Sequence, residues 1–420
     1  MSVAVISLAV LAAVVAVGFI KKINLGFLAI GAAFLLGTYG GLTDKQIIGG
    51  FSGSMFVTLA GVTFLFGLAS VNGTIELMSK KIIALLGKRT YLIPPMMFAL
   101  SAFLSAIGPG HIAMGILMTT FAVFLAIEMD INPFATALYA KLGANAGCAS
   151  ILSPTGVIAV NLAEPMGYTG FSNHLFITTL ISGFLFATII YFAYKGYKVN
   201  AENPMKWSEL PKFNKDQLLT MVVIIIMVFL CIGFKMNVGL FSFAAASIII
   251  FCKAVDEKKA IKAIPWGTLI MIVGVGMLVS VITDLGGIQL ISDFLIGLMT
   301  PNTATPIIAA TSGILSWVSS TTGVVMPTLF PICGEIVQSF GGSVNFAELI
   351  SAVTATSFAA AISPLSTGGA IIISAYSAAK QISTEEQNKL FRTLFLLSVA
   401  NVACNVIYAS IGLFNLFGLG

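Results

Sequence analysis

Asn145 to Gly156 reads Asn-Ala-Gly-Cys-Ala-Ser-Ile-Leu-Ser-Pro-Thr-Gly, inside an otherwise apolar segment running from Pro133 to Ala163. As one straight helix that segment would be ~46 Å long, against a hydrocarbon core of ~30 Å. It must tilt, protrude or break. Pro154 has no backbone N–H and disfavours helix at Ser153, and Gly156 loosens the chain just after it. The stretch therefore reads as a helix interrupted at membrane depth, with small hydroxyl and amide residues around the gap. Backbone broken at that depth survives only when buried in protein or lining a polar cavity, which is how secondary transporters hold ions and substrates. The device recurs in Thr354 to Gly369, where Ser363-Pro364 follows Ser153-Pro154 by half the length of the 420-residue chain.

The surrounding composition fits a membrane setting. With 58% hydrophobic and 9% charged residues, the chain reads as an all-α polytopic membrane protein rather than a soluble domain or a nucleic-acid binder. Its five cysteines, Cys148 among them, lack paired spacing and read as small buried hydrophobes. The first apolar run is followed, not preceded, by basic residues, so it reads as a retained span instead of a cleaved signal.

Spans are expected at Val3–Ile20, Ile23–Tyr39, Met55–Val71 and His174–Tyr194, with an interfacial segment at Ile75–Leu86. The second half offers Gln217–Phe234, Val238–Phe251, Trp266–Thr283 and Leu394–Phe417, with an interfacial stretch at Ile288–Met299. Residues 1–200 and 217–420 thus form two repeats joined by a cytoplasmic linker, 201–216. Broken helices are expected at 133–163 and 346–379. The segments 91–127 and 303–333 are too long for one span and have punctuated centres, Gly108-Pro109-Gly110-His111 and Ser319-Ser320-Thr321-Thr322-Gly323. Arms of ~12–16 residues, or ~18–24 Å, read as re-entrant hairpins ending inside the membrane.

Each repeat then has five crossings plus a hairpin, so the two are inverted. With Lys21-Lys22 inside, all of the 21 basic residues except Lys45, Lys141 and Lys235 fall on the inner side, as the positive-inside rule requires. Both termini come out external, and the protein is expected in a cell inner membrane.

No Asp or Glu lies mid-span. The centre offers hydroxyls, amides and freed carbonyls, hard oxygen ligands that favour sodium over proton coupling. Two hairpin tips and two breaks each bring a helix N-terminus to the centre, with its partial positive charge and free N–H donors. Together they suit an anion. The tips and breaks that would meet it hold Gly108, Gly110, His111, Ser153, Pro154, Thr155, Ser320, Thr321, Thr322, Ser363, Pro364, Thr367 and Gly368. Small hydroxyl residues also serve helix packing in membranes, but a cluster at a Pro/Gly break, repeated at the matching place, points to function. His111 reads either as a carboxylate hydrogen-bonder or pH sensor, or as a satisfied packing histidine. Lys141 reads as snorkelling to the inner surface, and Trp317 as a wedge behind the second tip.

Ser101-Ala-Phe-Leu-Ser105 leading into a tip, Ala144-Asn145-Ala-Gly147 and Ser153-Pro154-Thr155-Gly156 resemble the ion transporter superfamily. Within it the sequence is most similar to malonate/dicarboxylate carriers of the MatC type, related to divalent anion/sodium symporters. The resemblance implies a scaffold-plus-transport-domain fold, sodium-coupled uptake of a small dicarboxylate, elevator-type alternating access, a homodimer in the bilayer, and no cofactor beyond the coupling ion. Those symporters carry Ser-Asn-Thr at each tip. Here the tips read Ser105-Ala106-Ile107-Gly108 and Ser319-Ser320-Thr321. By that match Ser101, Ser105, Asn145 and carbonyls near Leu152 hold one cation, Ser319 with carbonyls near Ile362 the other, and Ser153, Thr155, Ser320, Thr321, Ser363 and Thr367 face the substrate. The remaining alternatives are a proton-coupled carrier, an exchanger or exporter of another anion, and an anion channel.

Overall fold

A computed structural model describes residues 2–21, 23–200, 205–234, 236–317, 319–380 and 384–416. Lys22, Lys235, the start of the expected linker and both chain ends lie outside them. The first half contains α1 (Val3–Lys21), α2 (Leu25–Tyr39), α3 (Asp44–Gly49), α4 (Gly53–Val71), α5 (Thr74–Ala84), α6 (Ile93–Ala106), α7 (Gly110–Glu128), α8 (Pro133–Gly147), α9 (Pro154–Ala163) and α10 (Ser172–Ala193). The second contains α11 (Lys215–Phe234), α12 (Val238–Phe251), α13 (Glu257–Ala263), α14 (Trp266–Asp284), α15 (Gly287–Ile296), α16 (Ala304–Trp317), α17 (Met326–Ser339), α18 (Phe346–Ala360), α19 (Thr367–Lys380) and α20 (Thr384–Ser410). Among the described residues there is no strand.

Both broken helices are present. Helix α8 ends at Gly147, and α9 restarts with Pro154 in its first turn, where the missing N–H costs nothing. The second break has the same length, residues 361–366 against 148–153, but lies three residues later relative to its proline. Helix α18 stops at Ala360 and α19 starts at Thr367, three residues beyond Pro364. A turn therefore surrounds Pro364 before the helix restarts: the Leu365 amide donates to Ser363 Oγ at 3.2 Å, and Ser366 Oγ donates to the carbonyls of Ala361 and Ser363 at 2.6 and 2.7 Å.

Helix–turn–helix units occupy both expected hairpin positions, with first arms of the expected length and second arms that run further. The first arms, α6 and α16, have 14 residues each. Helix α7 has 19 and is apolar and long enough to cross a membrane. The second hairpin continues to Ser339 rather than 333, through a π-helical turn at Thr321–Val325 into α17. Arm length therefore does not mark the hairpins. Their turns do, because the first one ends beside the middle of a broken helix.

Small residues set the packing. A Cβ on Gly143 or Gly147 would collide with the backbone carbonyls of Phe98 or Ala102, so α8 lies directly on α6, the close approach that small-xxx-small spacing allows in membranes. Similar contacts cross between the halves. Gly26 of α2 lies against the α14 backbone at Ile270, and Gly239 of α12 lies against Thr58 of α4. Helix α2 thus packs on α14 and α12 on α4, while α1 packs on α15 and α11 on α5.

Asp44–Val71, Gly110–Glu128, Ser172–Ala193, Trp266–Asp284 and Glu385–Ser410 are long and apolar enough to span a bilayer. Shorter apolar helices, α2 and α12 included, surround them. The chain is a helical membrane protein. Helix α5, expected at the interface, buries Ile75, Leu77 and Ile83 in the protein. The linker folds onto it, with the Trp207 ring 4.5 Å from Lys81 Nζ.

Candidate functional site

The first hairpin turn meets the first helix break. A Cβ on Gly110 would lie 2.9 Å from Pro154 Cδ and 3.2 Å from Ser153 Oγ, so the N-termini of α7 and α9 stand side by side. Gly110 takes a left-handed φ of 71°, available to glycine at little cost. Gly108 sits under the Phe66 ring so closely that any side chain would collide with it. A small cavity of about 30 Å³ beside the turn is lined by Pro109, Gly110, His111, Pro154 and, from the second hairpin, Thr322. The two turns therefore come together at one place.

His111 connects the parts. Its ring Nδ1 lies 3.3 Å from Thr155 Oγ1 at the first break. The same ring meets Phe358, near the end of α18 in the second half, edge-on at 4.7 Å. Its backbone carbonyl accepts a 3.2 Å hydrogen bond from Lys141 Nζ.

A larger cavity of about 660 Å³ adjoins this group. His111 and Lys141 line it from the first half, and Ser319, Ser320, Thr321, Pro364, Thr367 and Gly368 from the second. Ser320 also caps the π-helical turn, accepting from the Gly323 amide at 3.1 Å. Irregular turns of that kind recur at functional sites.

The other expected substrate residues fall elsewhere. Ser153 is buried with no hydrogen-bond partner for its hydroxyl, and Thr155 is buried against His111. Ser363 is buried and spends its hydroxyl on the Leu365 turn instead of facing the cavity.

The residues expected to hold cations divide in the same way. Ser101 Oγ and Asn145 Oδ1 are buried without partners, while the Asn145 amide donates to Phe358 O across the halves at 3.1 Å. Ser105 Oγ donates to Ala144 O at 2.8 Å, tying α6 to α8. Leu152 N meets Ser150 Oγ at 3.3 Å. Ser319 Oγ turns back to donate to Leu315 O of α16, and Ile362 is fully buried. The second-half counterpart of the Ser105 bond comes from Ser316, which donates to Ser357 O at 2.9 Å and meets Thr321 Oγ1 at 3.1 Å. Sequence reading passed over Ser316. Its signal was the helical spacing from the tip, four residues before Ser320.

Lys141 was misread. It does not snorkel: it is 2% exposed. Glycines open its path, since a Cβ on Gly115 would lie 2.7 Å from Nζ and one on Gly368 2.9 Å from Cε. Those glycines belong to α7 and α19, distant in sequence, so no local pattern announced the slot. Trp317 anchors α16 to α20 through a 2.9 Å bond from Nε1 to Ser398 Oγ.

Residues 1–148 match the family model described as the dicarboxylate carrier protein MatC N-terminus. No curated protein matches the chain. Among solved structures it is similar to the YdaH transporter of Alcanivorax borkumensis, with a TM-score of 0.59 and 11% identity over 90% of this chain and 88% of that one. It is also similar to Neisseria gonorrhoeae MtrF, described with a class of antimetabolite efflux pumps, with a TM-score of 0.54 and 14% identity over 89% and 83%. At those identities the likeness concerns the fold. The matched proteins are described as a carrier, a transporter and an efflux pump.

Proposed function

We propose that the protein is a secondary active transporter that imports a small dicarboxylate, malonate or a close relative, together with sodium. One observation carries this reading: parts of both hairpin turns and both helix breaks converge on adjoining cavities, lined by hydroxyls and glycines from the two halves. Helix N-termini brought together in this way favour an anion. The match of residues 1–148 to a dicarboxylate carrier model supports the substrate class. The orphaned oxygens of Ser101 and Asn145 support a cation beside the first break, since buried polar atoms left without partners call for an ion or water.

The reading carries an architecture with it. Residues 1–200 and 217–420 are inverted repeats around a linker at 201–216, as in the ion transporter superfamily. Each holds five crossings and a re-entrant hairpin, and both termini face outward in the cell inner membrane. The exchanged packing of α2 on α14 and α12 on α4 suits such a pair. Hairpins and broken helices form a transport domain that moves as an elevator against the scaffold, in a homodimer.

Proteoliposomes test it. Labelled malonate should accumulate when an inward sodium gradient is imposed, and the signal should collapse when choline replaces sodium. Uptake that follows an imposed pH gradient instead would favour a proton-coupled carrier. Label that never exceeds its equilibrium level, with no counterflow, would identify a channel.

A further inference from the structure

We infer that Lys141 receives one carboxylate of the transported dianion, so that the site pairs its substrate with a fixed cation as well as with helix ends. This inference rests on the dicarboxylate reading above. Lys141 lies on α8, ~12 Å into that helix from Pro133, and is almost wholly buried. An ammonium buried in a membrane protein is costly unless an anion faces it. Among the described residues the ion pairs join Lys80 to Glu76 and Lys206 to Glu209, and neither involves Lys141. Its one hydrogen bond goes to the His111 carbonyl, which occupies one of three N–H donors.

The amine borders the larger cavity. No other lysine, and no arginine, aspartate or glutamate, is among the described residues lining that space. The counter-charge is therefore not supplied by the protein there, and an anionic ligand supplies it. The slot is built for this placement. Gly115 and Gly368 leave room for the amine and its stem from opposite helices, so the charge reaches the place where the two halves meet. A dianion held there can set one carboxylate on Lys141 and the other among Ser320, Thr321 and Thr367, which line the same cavity.

Equilibrium dialysis on the purified full-length protein decides the matter, comparing malonate and succinate with their half-amides, malonamate and succinamate. In Lys141→Gln the preference for the dianion over its half-amide should fall by roughly 10- to 100-fold, the range of a lost charged hydrogen bond. A packing role would weaken both ligands alike, and that result, or an unchanged preference, would overturn the inference. Should Lys141→Gln fail to fold, Gly115→Ala decides instead, because its Cβ displaces the amine while keeping the charge. The same loss of preference is expected there, and an unaltered preference would overturn the inference. A wild-type protein that binds neither malonate nor succinate would overturn the dicarboxylate reading, and with it this one.

Discussion

Ser153 and Ser363 look interchangeable in sequence, each preceding a proline at a helix break. The structure gives them different work. Ser153 Oγ is buried with no partner, next to the first hairpin turn, whereas Ser363 Oγ holds the Leu365 amide in a turn. Their alanine variants should therefore part company. Ser153→Ala is expected to weaken malonate binding with no loss of thermal stability, since no existing bond is removed. Ser363→Ala should lower stability by about 1 kcal/mol, a typical net hydrogen bond. Thermal unfolding and binding measured on both proteins check this. Equal behaviour of the two would mean that the hydroxyls play one role. The identity of these residues was legible because Pro and Gly punctuate a helix locally. Their division of labour was not, because a three-residue offset in the restart of α19 redirects one hydroxyl. Lys141 was illegible for a related reason: its slot is made by residues from two other helices.

At the scale of elements, the breaks were readable to within a few residues, since membrane depth and proline leave few alternatives. The hairpins were readable in position but not in length. Nothing local distinguishes an arm that stops from one that runs on into α7 or α17. The close fit of α8 on α6 was readable only as small-residue content, and it makes a sharp prediction. Gly147→Ala would drive a methyl into the Ala102 carbonyl and should cost about 1–3 kcal/mol, as overpacking does. Gly31→Ala, on an open helix face where nothing lies within 4 Å, should be neutral or stabilising by less than about 1 kcal/mol. Melting curves of the two variants in the same detergent compare them directly, and a Gly147→Ala protein as stable as Gly31→Ala would contradict the packing described.

For the whole molecule, the halves are interwoven rather than adjacent: helices of each pack on helices of the other, and the site takes residues from both. The repeated order of elements was legible in the sequence. The interweaving was not, because it depends on glycines in different halves meeting at Gly26 with α14 and Gly239 with α4. The central claim is that the halves share one anion site. It is tested most directly in a cysteine-free background carrying Ile112→Cys or Leu365→Cys, residues that line the same cavity from opposite halves. Malonate should slow alkylation of both thiols, with the same half-saturating concentration and the same need for sodium. Protection of one position and not the other, or at clearly different concentrations, would contradict a shared site.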